Sequence, residues 1–326
     1  MQITYFFRKS RPGAFSIENL FLNVQKQFPK SVIINNHYLS KPSAGIFNRL
    51  LLCFEAYKTQ KGINHITGDV NFIAAFLNKN NTILTIHDIE SLLRQNTLAN
   101  ILLKYFWLQM PVARVKWITV VSETTKQKLL HHVSIDPEKV VVIPNVISQE
   151  FTYVPNNFNK IKPTILQVGT KYNKNLERTI EALNAIPCTL MIVGKLSDEQ
   201  VKRLKRNNIE YINKIGLTDE QLREAYAESD IVTFVSLFEG FGMPILEANA
   251  TGRPVVTSSC SSMPEVAGDA ALLVNPLDVS EIRSAFLSLI ENDVLREKLV
   301  VRGLENVKRF SNKAVAQMYL DLYKKM

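Results

Sequence analysis

Two glutamates and two glycines occur within one short segment, residues 236–249, in an arrangement suited to binding a polar ligand. The apolar run 231–235 before it predicts a buried strand, and Gly240 and Gly242 allow the backbone to turn and to approach a ligand closely. Pro244 fits the first position of a helix, because its φ is already helical and it has no N–H to leave unpaired. The amides and the positive dipole end of that helix would then attract an anion.

The carboxylates of this segment, Glu239 and Glu247, have seven residues between them. Glu239 falls in the turn and Glu247 in the first turns of the helix, so we expect both to border the same pocket. The spacing alone is equally consistent with a solvated turn residue and a helix residue that complements the dipole.

The nine residues from Glu239 to Glu247, Glu-Gly-Phe-Gly-Met-Pro-Ile-Leu-Glu, resemble the E-x7-E signature of the retaining family 4 glycosyltransferases. The similarity continues through residues 248–252, 254–256 and 263–271, so it covers many positions in order. It implies that a hexose-type sugar is transferred from a nucleotide-sugar donor to the hydroxyl of a saccharide or a lipid-linked acceptor.

The resemblance also implies roles within the segment. Glu247 would hold the ribose hydroxyls of the donor, and Glu239 would act beside the transferred sugar. The turn and the start of the helix would supply the remaining donor contacts, from Gly240, Phe241, Gly242 and Met243.

A second candidate phosphate site follows the predicted strand 164–168. The turn lacks the G-x-G-x-x-G pattern of dinucleotide-binding folds, which disfavours a nicotinamide oxidoreductase. Lys174 matches the lysine of the family's G-x(n)-K-N segment, which implies that its ammonium faces the leaving phosphate. Thr170 stands where many family members have an arginine, so either half of the usual diphosphate clamp is absent or Lys171 supplies it.

Three further residues are candidates by their position. His87 ends a predicted strand and precedes Asp88; lone histidines are usually structural, but the family pattern Thr-x-His-Asp implies contact with the transferred sugar. Gly13 lies after the first strand, where the family has a loop with paired glycines near the donor phosphate. Gly216 matches a turn that lines the base and ribose, and it fits an ordinary strand-to-helix turn equally well.

Short apolar runs alternate with helical patterns along the whole chain, which indicates α/β architecture with parallel sheets. Residues 1–150 and 151–326 each contain such a series, and the polar stretch 149–162 predicts a linker between them. We therefore expect two doubly wound Rossmann-like domains, which in the GT-B fold of the resembled family face each other across a cleft. The resemblance assigns the acceptor to the first domain and the nucleotide sugar to the second, and it implies that the last helix, at about 313–325, crosses back.

The net charge of +9 is concentrated in the first half of the chain. Residues 1–150 contain 17 Lys and Arg against 9 Asp and Glu, whereas residues 151–326 contain 22 against 21. The sequence has no arginine-rich tract, basic zipper helix or RNA-recognition motif, so nucleic acid is not the predicted partner. An anionic membrane surface or a phosphorylated acceptor fits better, beside the alternative of a solvated basic face.

Two predicted helices, 46–57 and 99–110, have wide apolar faces that interleave with Arg49, Lys58 and Lys104. Core packing explains most of this pattern, and an interfacial membrane contact is the minority interpretation. The most apolar later stretch is interrupted by charged residues and proline, and the N-terminus lacks a signal-peptide pattern, so no membrane-crossing segment is predicted.

No metal or cofactor is expected, because the sequence contains no D-x-D pair of the kind that holds a divalent cation on a diphosphate. Cys53, Cys188 and Cys260 form no cluster and are interpreted as buried thiols in a reducing compartment. We predict a metal-independent cytoplasmic enzyme, with peripheral contact at the inner face of a membrane, that acts in bacterial-type surface polysaccharide or glycolipid assembly. The alternative is a non-catalytic nucleotide-sugar-binding or scaffold protein of the same fold.

Overall fold

The computed structural model describes residues 1–9, 16–90 and 103–326, and the chain divides into two compact units. Unit 1 comprises Met1–Ser148 and Asn312–Met326, and unit 2 comprises Gln149–Ser311. The first passage from one unit to the other thus lies two residues before the division expected from the sequence. The C-terminal stretch returns to unit 1.

Unit 1 is built on a six-stranded parallel sheet with the order β2-β1-β3-β4-β5-β6. Its strands are β1 (Gln2–Phe7), β2 (Ile33–Tyr38), β3 (Ile63–Ile66), β4 (Thr82–Ile86), β5 (Trp117–Val120) and β6 (Val140–Val142). Every residue of β3 and β4 is buried, because helices cover both faces of a parallel sheet, and this includes the polar side chains of Asn64, His65 and Thr85. The strand order reverses between β1 and β3, which is where ligands usually collect in such sheets.

The helices of unit 1 include the chain's last helix. They are α1 (Ser16–Gln25), α2 (Ile46–Thr59), α3 (Met110–Ala113), which continues a π-helical turn at Tyr105–Gln109, α4 (Glu123–His132) and α12 (Asn312–Tyr323). The hydroxyl of Tyr323 on α12 lies 2.7 Å from that of Tyr5 and 2.5 Å from Nδ1 of His65, all within the core. His65 is therefore a structural histidine that helps to fix α12 on the sheet.

Unit 2 repeats the plan with a second six-stranded parallel sheet, in the order β12-β11-β10-β7-β8-β9. Its strands are β7 (Thr164–Val168), β8 (Thr189–Val193), β9 (Glu210–Lys214), β10 (Ile231–Phe234), β11 (Val255–Ser258) and β12 (Leu272–Val274). The helices are α5 (Leu176–Ala182), α6 (Asp198–Arg206), α7 (Asp219–Ala227), α8 (Met243–Thr251), α9 (Met263–Ala267), α10 (Val279–Glu291) and α11 (Asp293–Asn306). Here the strand order reverses between β7 and β10.

Residues 149–162, which were predicted to form a linker, contain no helix or strand, but they pack on unit 2. Arg253, which is 1% exposed, donates from Nη1 to the carbonyl of Val154 at 2.8 Å. Asn156 Nδ2 donates to Asp230 Oδ1 at 2.9 Å, and the guanidinium of Arg296 lies 3.8 Å from the ring centre of Phe158. These contacts make the stretch part of the second unit.

Several local predictions were wrong. The apolar run at residues 31–34 predicts the second strand there, whereas β2 runs from Ile33 to Tyr38. Strand β9 was not predicted, because it lies at the sheet edge, is charged at both ends and has no buried residue. Cys260 is partly exposed, unlike the other two cysteines. In the described parts of the chain, no helix is long and apolar enough to cross a membrane.

Candidate active site

The turn after β10 is held in place by two serines that follow β11. Ser261 accepts a hydrogen bond from the amide of Glu239 at 3.2 Å and donates its hydroxyl to the carbonyl of the same residue at 2.8 Å. Ser262 donates to the carbonyls of Glu239 and Phe241. The turn that carries the first glutamate is therefore fixed by hydrogen bonds to a neighbouring loop.

Helix α8 begins directly after this turn. Gly242 is its N-cap residue, with φ at +131°, a value that side-chain-bearing residues rarely adopt. The helix starts at Met243, one residue earlier than predicted, so Pro244 occupies the second helical position. The positive end of the α8 dipole consequently points at the turn that contains Gly240 and Phe241.

Lys174 and Glu239, which are 65 positions apart in sequence, form an ion pair with Nζ 2.7 Å from Oε1. Both side chains are mostly buried, with 20% and 17% of their surface exposed. Asn173 donates to the same carboxylate oxygen at 3.0 Å, and the Lys174 ammonium lies 4.7 Å from the ring centre of Phe234. Because Lys174 follows β7 and Glu239 follows β10, the pair lies where the strand order of unit 2 reverses.

The backbone before Lys174 brings the lysine to this position. Gly169 has φ at +94°, and a Cβ placed on it would come within 2.9 Å of Cγ of Lys174, so the lysine chain lies directly over the glycine. Gln167, fully buried, donates from Nε2 to the Lys174 carbonyl at 2.9 Å. The amide of Leu237 donates to the carbonyl of Asn173 at 2.8 Å and ties the two loops together.

Glu247 projects from α8 and meets a residue that the sequence did not single out. The hydroxyl of Tyr226, on α7, donates to Glu247 Oε2 at 2.5 Å. Burial raises the pKa of Glu247 to about 7, against the lowering effects of the Tyr226 hydrogen bond and of the nearby Lys174 charge, while Asp219 raises it further. The carboxyl group therefore changes its charge close to neutral pH.

The other donor-site candidates of unit 2 are differently placed. The Thr170 hydroxyl donates to the carbonyl of Lys195 at 2.6 Å, so it supports the neighbouring loop. Lys171 is exposed to solvent. Gly216 is also exposed, with φ at +67°, and a side chain placed there would meet no atom within 4 Å.

In unit 1, His87 follows β4 and its Nε2 lies 2.8 Å from the carbonyl of Thr67. A carbonyl only accepts, so Nε2 carries the proton and the neutral ring presents Nδ1 as an acceptor. Burial lowers the pKa of His87, which favours this neutral form; the Thr67 carbonyl and the Asp69 and Glu18 carboxylates oppose the effect, and the Arg8 charge adds to it. A neutral imidazole in this state can accept a hydrogen bond from a hydroxyl group.

Acidic residues that sequence reasoning overlooked surround the histidine. Arg8, directly after β1, donates from Nε to the buried carboxylate of Glu18 at 3.0 Å and also pairs with Asp69. A neighbouring cavity of about 490 Å³ is lined by Gly68, Asp69, Asn71, Thr85, Ile86, His87, Asp88, Leu103 and Trp107. Its lining combines carboxylates, an amide and a histidine with apolar and aromatic side chains. Gly13 lies outside the described residues, so its role near the donor phosphate stays a prediction.

Two family sequence models match the chain. The one described as Glycosyltransferase Family 4 matches residues 63–151, and the one described as Glycosyl transferases group 1 matches residues 162–292. Together they cover about two thirds of the 326 residues. The chain belongs to the family 4 glycosyltransferases.

Relatives of this glycosyltransferase include enzymes named for mannose transfer. O-antigen chain mannosyltransferase B of Escherichia coli is 29% identical over 234 residues, which are 64% of this chain and 60% of that protein. The phosphatidyl-myo-inositol mannosyltransferase of Mycobacterium leprae (strain TN) is 29% identical over 198 residues, or 56% of this chain and 53% of that protein. The matches thus span little more than half the length of these two relatives.

Solved structures share the fold of this glycosyltransferase at low sequence identity. Anabaena Alr3699/HepE, in complex with UDP and glucose, has a TM-score of 0.79 and 15% identity over the full length of both chains. WaaG, a glycosyltransferase involved in lipopolysaccharide biosynthesis, has a TM-score of 0.71 and 14% identity over 99% of each chain. The predicted two-domain α/β fold of the GT-B glycosyltransferases is therefore confirmed.

The sequence alone identified the charged residues Lys174, Glu239 and Glu247 but not most of the residues that contact them. Tyr226, Asn173, Ser261 and Ser262 all contact the two glutamates or the turn between them. The run Ser-Ser-Cys-Ser-Ser at 258–262, directly after an apolar strand, was an available signal for the two serines. Tyr226 carried no such signal, because a tyrosine on a helix is ordinarily explained by core packing.

Proposed function

We propose that this family 4 glycosyltransferase moves a hexose-type sugar from a nucleotide-sugar donor to an acceptor hydroxyl with retention of anomeric configuration. One observation carries the proposal: the ion pair of Lys174 and Glu239, 2.7 Å long, lies beside the turn at which α8 begins. A cation and a helix dipole thereby meet in a polar, mostly buried place, as a site that stabilises a leaving diphosphate requires.

The proposed chemistry breaks the bond between the anomeric carbon and the diphosphate oxygen and forms a bond from that carbon to the acceptor oxygen. An ammonium has three N–H donors, so Lys174 can bind Glu239 and a phosphate oxygen at the same time. The leaving phosphate takes the proton of the acceptor hydroxyl, which needs no separate base. Glu239 responds to positive character on the anomeric carbon, Glu247 holds the ribose and His87 accepts from a sugar hydroxyl.

The expected donors are nucleoside diphosphate hexoses. Relatives named for mannose transfer, to O-antigen chains and to phosphatidyl-myo-inositol, support a hexose and an acceptor in surface polysaccharide or glycolipid assembly. A thermal-shift panel of such donors identifies the substrate, since a ligand at about 100 times its Kd stabilises a fold by about 2.7 kcal/mol. Proton NMR of the product then tests retention: an inverted anomeric centre would exclude the proposed mechanism.

Metal independence is part of the proposal, because Lys174 and the amino end of α8 would supply the positive charge that a divalent cation supplies to diphosphates in other enzymes. We expect turnover to survive excess EDTA. A loss of turnover that Mn²⁺ restores would show that the chain binds a catalytic metal.

A second candidate function is donor binding without transfer. It is favoured by Thr170, which stands in place of the family's arginine and whose hydroxyl is engaged with Lys195, and by the exposed position of Lys171. A binding protein of this kind would gain thermal stability from a donor and release no nucleoside diphosphate from it.

We further propose that the protein makes peripheral contact with an anionic membrane surface at the inner face, where a lipid-linked acceptor is presented. The support is the charge of residues 1–150, with 17 basic and 9 acidic side chains. Electrostatic binding of this kind weakens as salt shortens the screening length. Vesicles that contain anionic lipid should therefore bind the protein better than neutral vesicles at low ionic strength, and equal binding would refute the contact.

A further inference from the structure

Helix α2 has one apolar face that is buried in unit 1 and a second apolar face that is largely exposed, on which Phe54 contacts Phe76 with 5.1 Å between ring centres. Leu52, Cys53 and Ala56 are buried and form the inward face. Core packing was expected to explain most of the apolar residues of this helix, and for the second face that expectation was wrong. The second face, called here the outer face, is exposed to the following extents: Ile46 77%, Phe47 73%, Leu50 47%, Phe54 53% and Tyr57 57%.

The outer face is continuous along the helix. At about 100° per residue, its five side chains fall within an arc roughly 100° wide that borders the inward face, since Cys53 lies about 20° from Ile46 around the helix. An apolar stripe of this width is unusual on a solvated helix, and contiguous exposed apolar surface marks contact with a partner or a membrane. Nothing in the proposed transfer chemistry uses these residues.

The chain around α2 is strongly basic. Residues 1–61 contain nine Lys and Arg against two acidic residues, a net charge of +7. Both acidic side chains are engaged within the unit: Glu18 is buried against Arg8, and Glu55 accepts from His37 Nε2 at 2.8 Å and from the Ser40 amide at 3.0 Å. The lysines at 41, 58 and 61 are all exposed.

We propose that the outer face of α2 enters the head-group region of an anionic membrane while the surrounding basic side chains bind lipid phosphates. This inference rests on the peripheral contact proposed above and names the element that makes it. The helix has 14 residues, too few to cross a bilayer, and an apolar stripe beside lysines is the pattern of helices that lie in the interface.

Charge complementarity selects lipid over a second copy of this chain. Two copies that met through the outer face would bring two basic segments together, and like charges at close range oppose association. An anionic lipid surface supplies the opposite charge and, below its head groups, the apolar environment that isoleucine, phenylalanine and leucine favour.

The test compares two matched variants in sedimentation with vesicles of phosphatidylglycerol mixed with phosphatidylcholine. The first replaces Ile46, Phe47 and Leu50 with serine. The control replaces Ile161 and Leu277 with serine, an isoleucine and a leucine that are 86% and 62% exposed in unit 2. We expect partition of the first variant to fall by at least about tenfold, because each buried methylene contributes to interfacial binding, and that of the control to stay unchanged.

A second measurement guards against misfolding of the triple variant. Phe47→Trp should shift its fluorescence to shorter wavelength on anionic vesicles, whereas Ile161→Trp should not. Partition of the triple variant within about twofold of the parent would overturn the role of α2. The role of α2 in membrane binding would also be overturned if the parent protein is a dimer and the triple serine variant is a monomer that still binds vesicles. Turnover with a soluble acceptor should be unchanged in the triple variant, and its loss there with the fold intact would overturn the assignment of the outer face to the membrane alone. A parent that binds anionic vesicles through α2 but shows no turnover would instead count against the proposed function.

Discussion

The two units place their candidate residues by the same rule and differ in how those residues are supported. In unit 2 Lys174 and Glu239 follow β7 and β10, the strands between which the strand order reverses; in unit 1 Arg8 and Asp69 follow the corresponding strands β1 and β3, and His87 follows the adjacent strand β4. In unit 2 the glutamates belong to one short motif, and a lysine and serines from other loops hold it. In unit 1 Arg8, Asp69 and His87 come from three separate loops that carry no contiguous signature.

The two units also differ in how their charged residues are distributed. Unit 2 pairs Lys174, the cation that we propose to face the donor phosphate, with the carboxylate of Glu239 at 2.7 Å, so the two charges offset each other. The chain of unit 1 carries the excess positive charge, chiefly within residues 1–61. In our proposals the same fold therefore serves in unit 2 to bind a small anionic ligand and in unit 1 to contact an extended anionic surface.

The largest effect that would separate the units is expected from Lys174→Ala. Loss of one preorganised donor to developing negative charge typically costs about 2.7 to 4 kcal/mol, so kcat should fall on the order of 100-fold or more. Lys171→Ala is the matched control, because that lysine is a near neighbour with an exposed side chain. Equal kinetics for both variants in a nucleoside diphosphate release assay would remove the phosphate role from Lys174.

Glu239→Gln should lower kcat by on the order of tenfold and change the donor KM less, because a carboxylate beside the reacting carbon acts mostly in the transition state. Combining it with Lys174→Ala should cost less than the two separate losses added together, since the residues form one pair. Additive losses in this double-mutant cycle would mean that the ion pair does not act as a unit.

Some features of the two units could be predicted from the sequence, and others could not. The parallel sheets, the boundary and the charged residues of unit 2 follow from local patterns: apolar runs, a glycine turn and a lysine before a helix. The contact of Lys174 with Glu239 joins residues far apart in sequence and depends on strand order, which no local pattern encodes. Strand β9 and the exposure of the α2 outer face also depend on which surfaces neighbouring elements cover.

Glu247→Gln should raise the donor KM severalfold and leave kcat nearly unchanged, because a ribose contact is made equally in the ground and transition states. With Glu247 ionised, the ribose hydroxyls can donate to it, so kcat/KM for the donor should rise as pH passes through about 7 and flatten in the variant. Tyr226→Phe removes the hydrogen bond that lowers this pKa, so the midpoint should move to higher pH.

Stability measurements on Glu247→Gln distinguish a ligand-binding role of Glu247 from a purely structural role in the helix. Because burial raises the folded-state pKa of Glu247 above the usual 4.5, the folded protein loses stability as pH rises through about 7. Glutamine does not ionise, so the variant should melt no lower than the parent above that pH. A lower Tm with unchanged kinetics would indicate a purely structural glutamate.

The smallest effects are expected from one glycine in each unit. Gly68 and Gly169 both have positive φ, and an added Cβ would lie 2.8 Å from Cδ2 of His87 and 2.9 Å from Cγ of Lys174. Alanine at either position should cost about 1 to 2 kcal/mol of folding free energy. The rigid imidazole cannot give way as a lysine chain can, so we expect Gly68→Ala to reduce turnover more than Gly169→Ala. The reverse order would contradict the role of His87.

Release of nucleoside diphosphate by the unaltered protein tests the central claim most directly. A donor that raises the Tm is incubated with candidate saccharide and lipid-linked acceptors, and the liberated nucleotide is followed with time. Transfer predicts release that depends on the acceptor, persists in EDTA and nearly disappears in Lys174→Ala. A donor that stabilises the protein but yields no nucleoside diphosphate with any acceptor would contradict transfer and favour a nucleotide-sugar-binding protein.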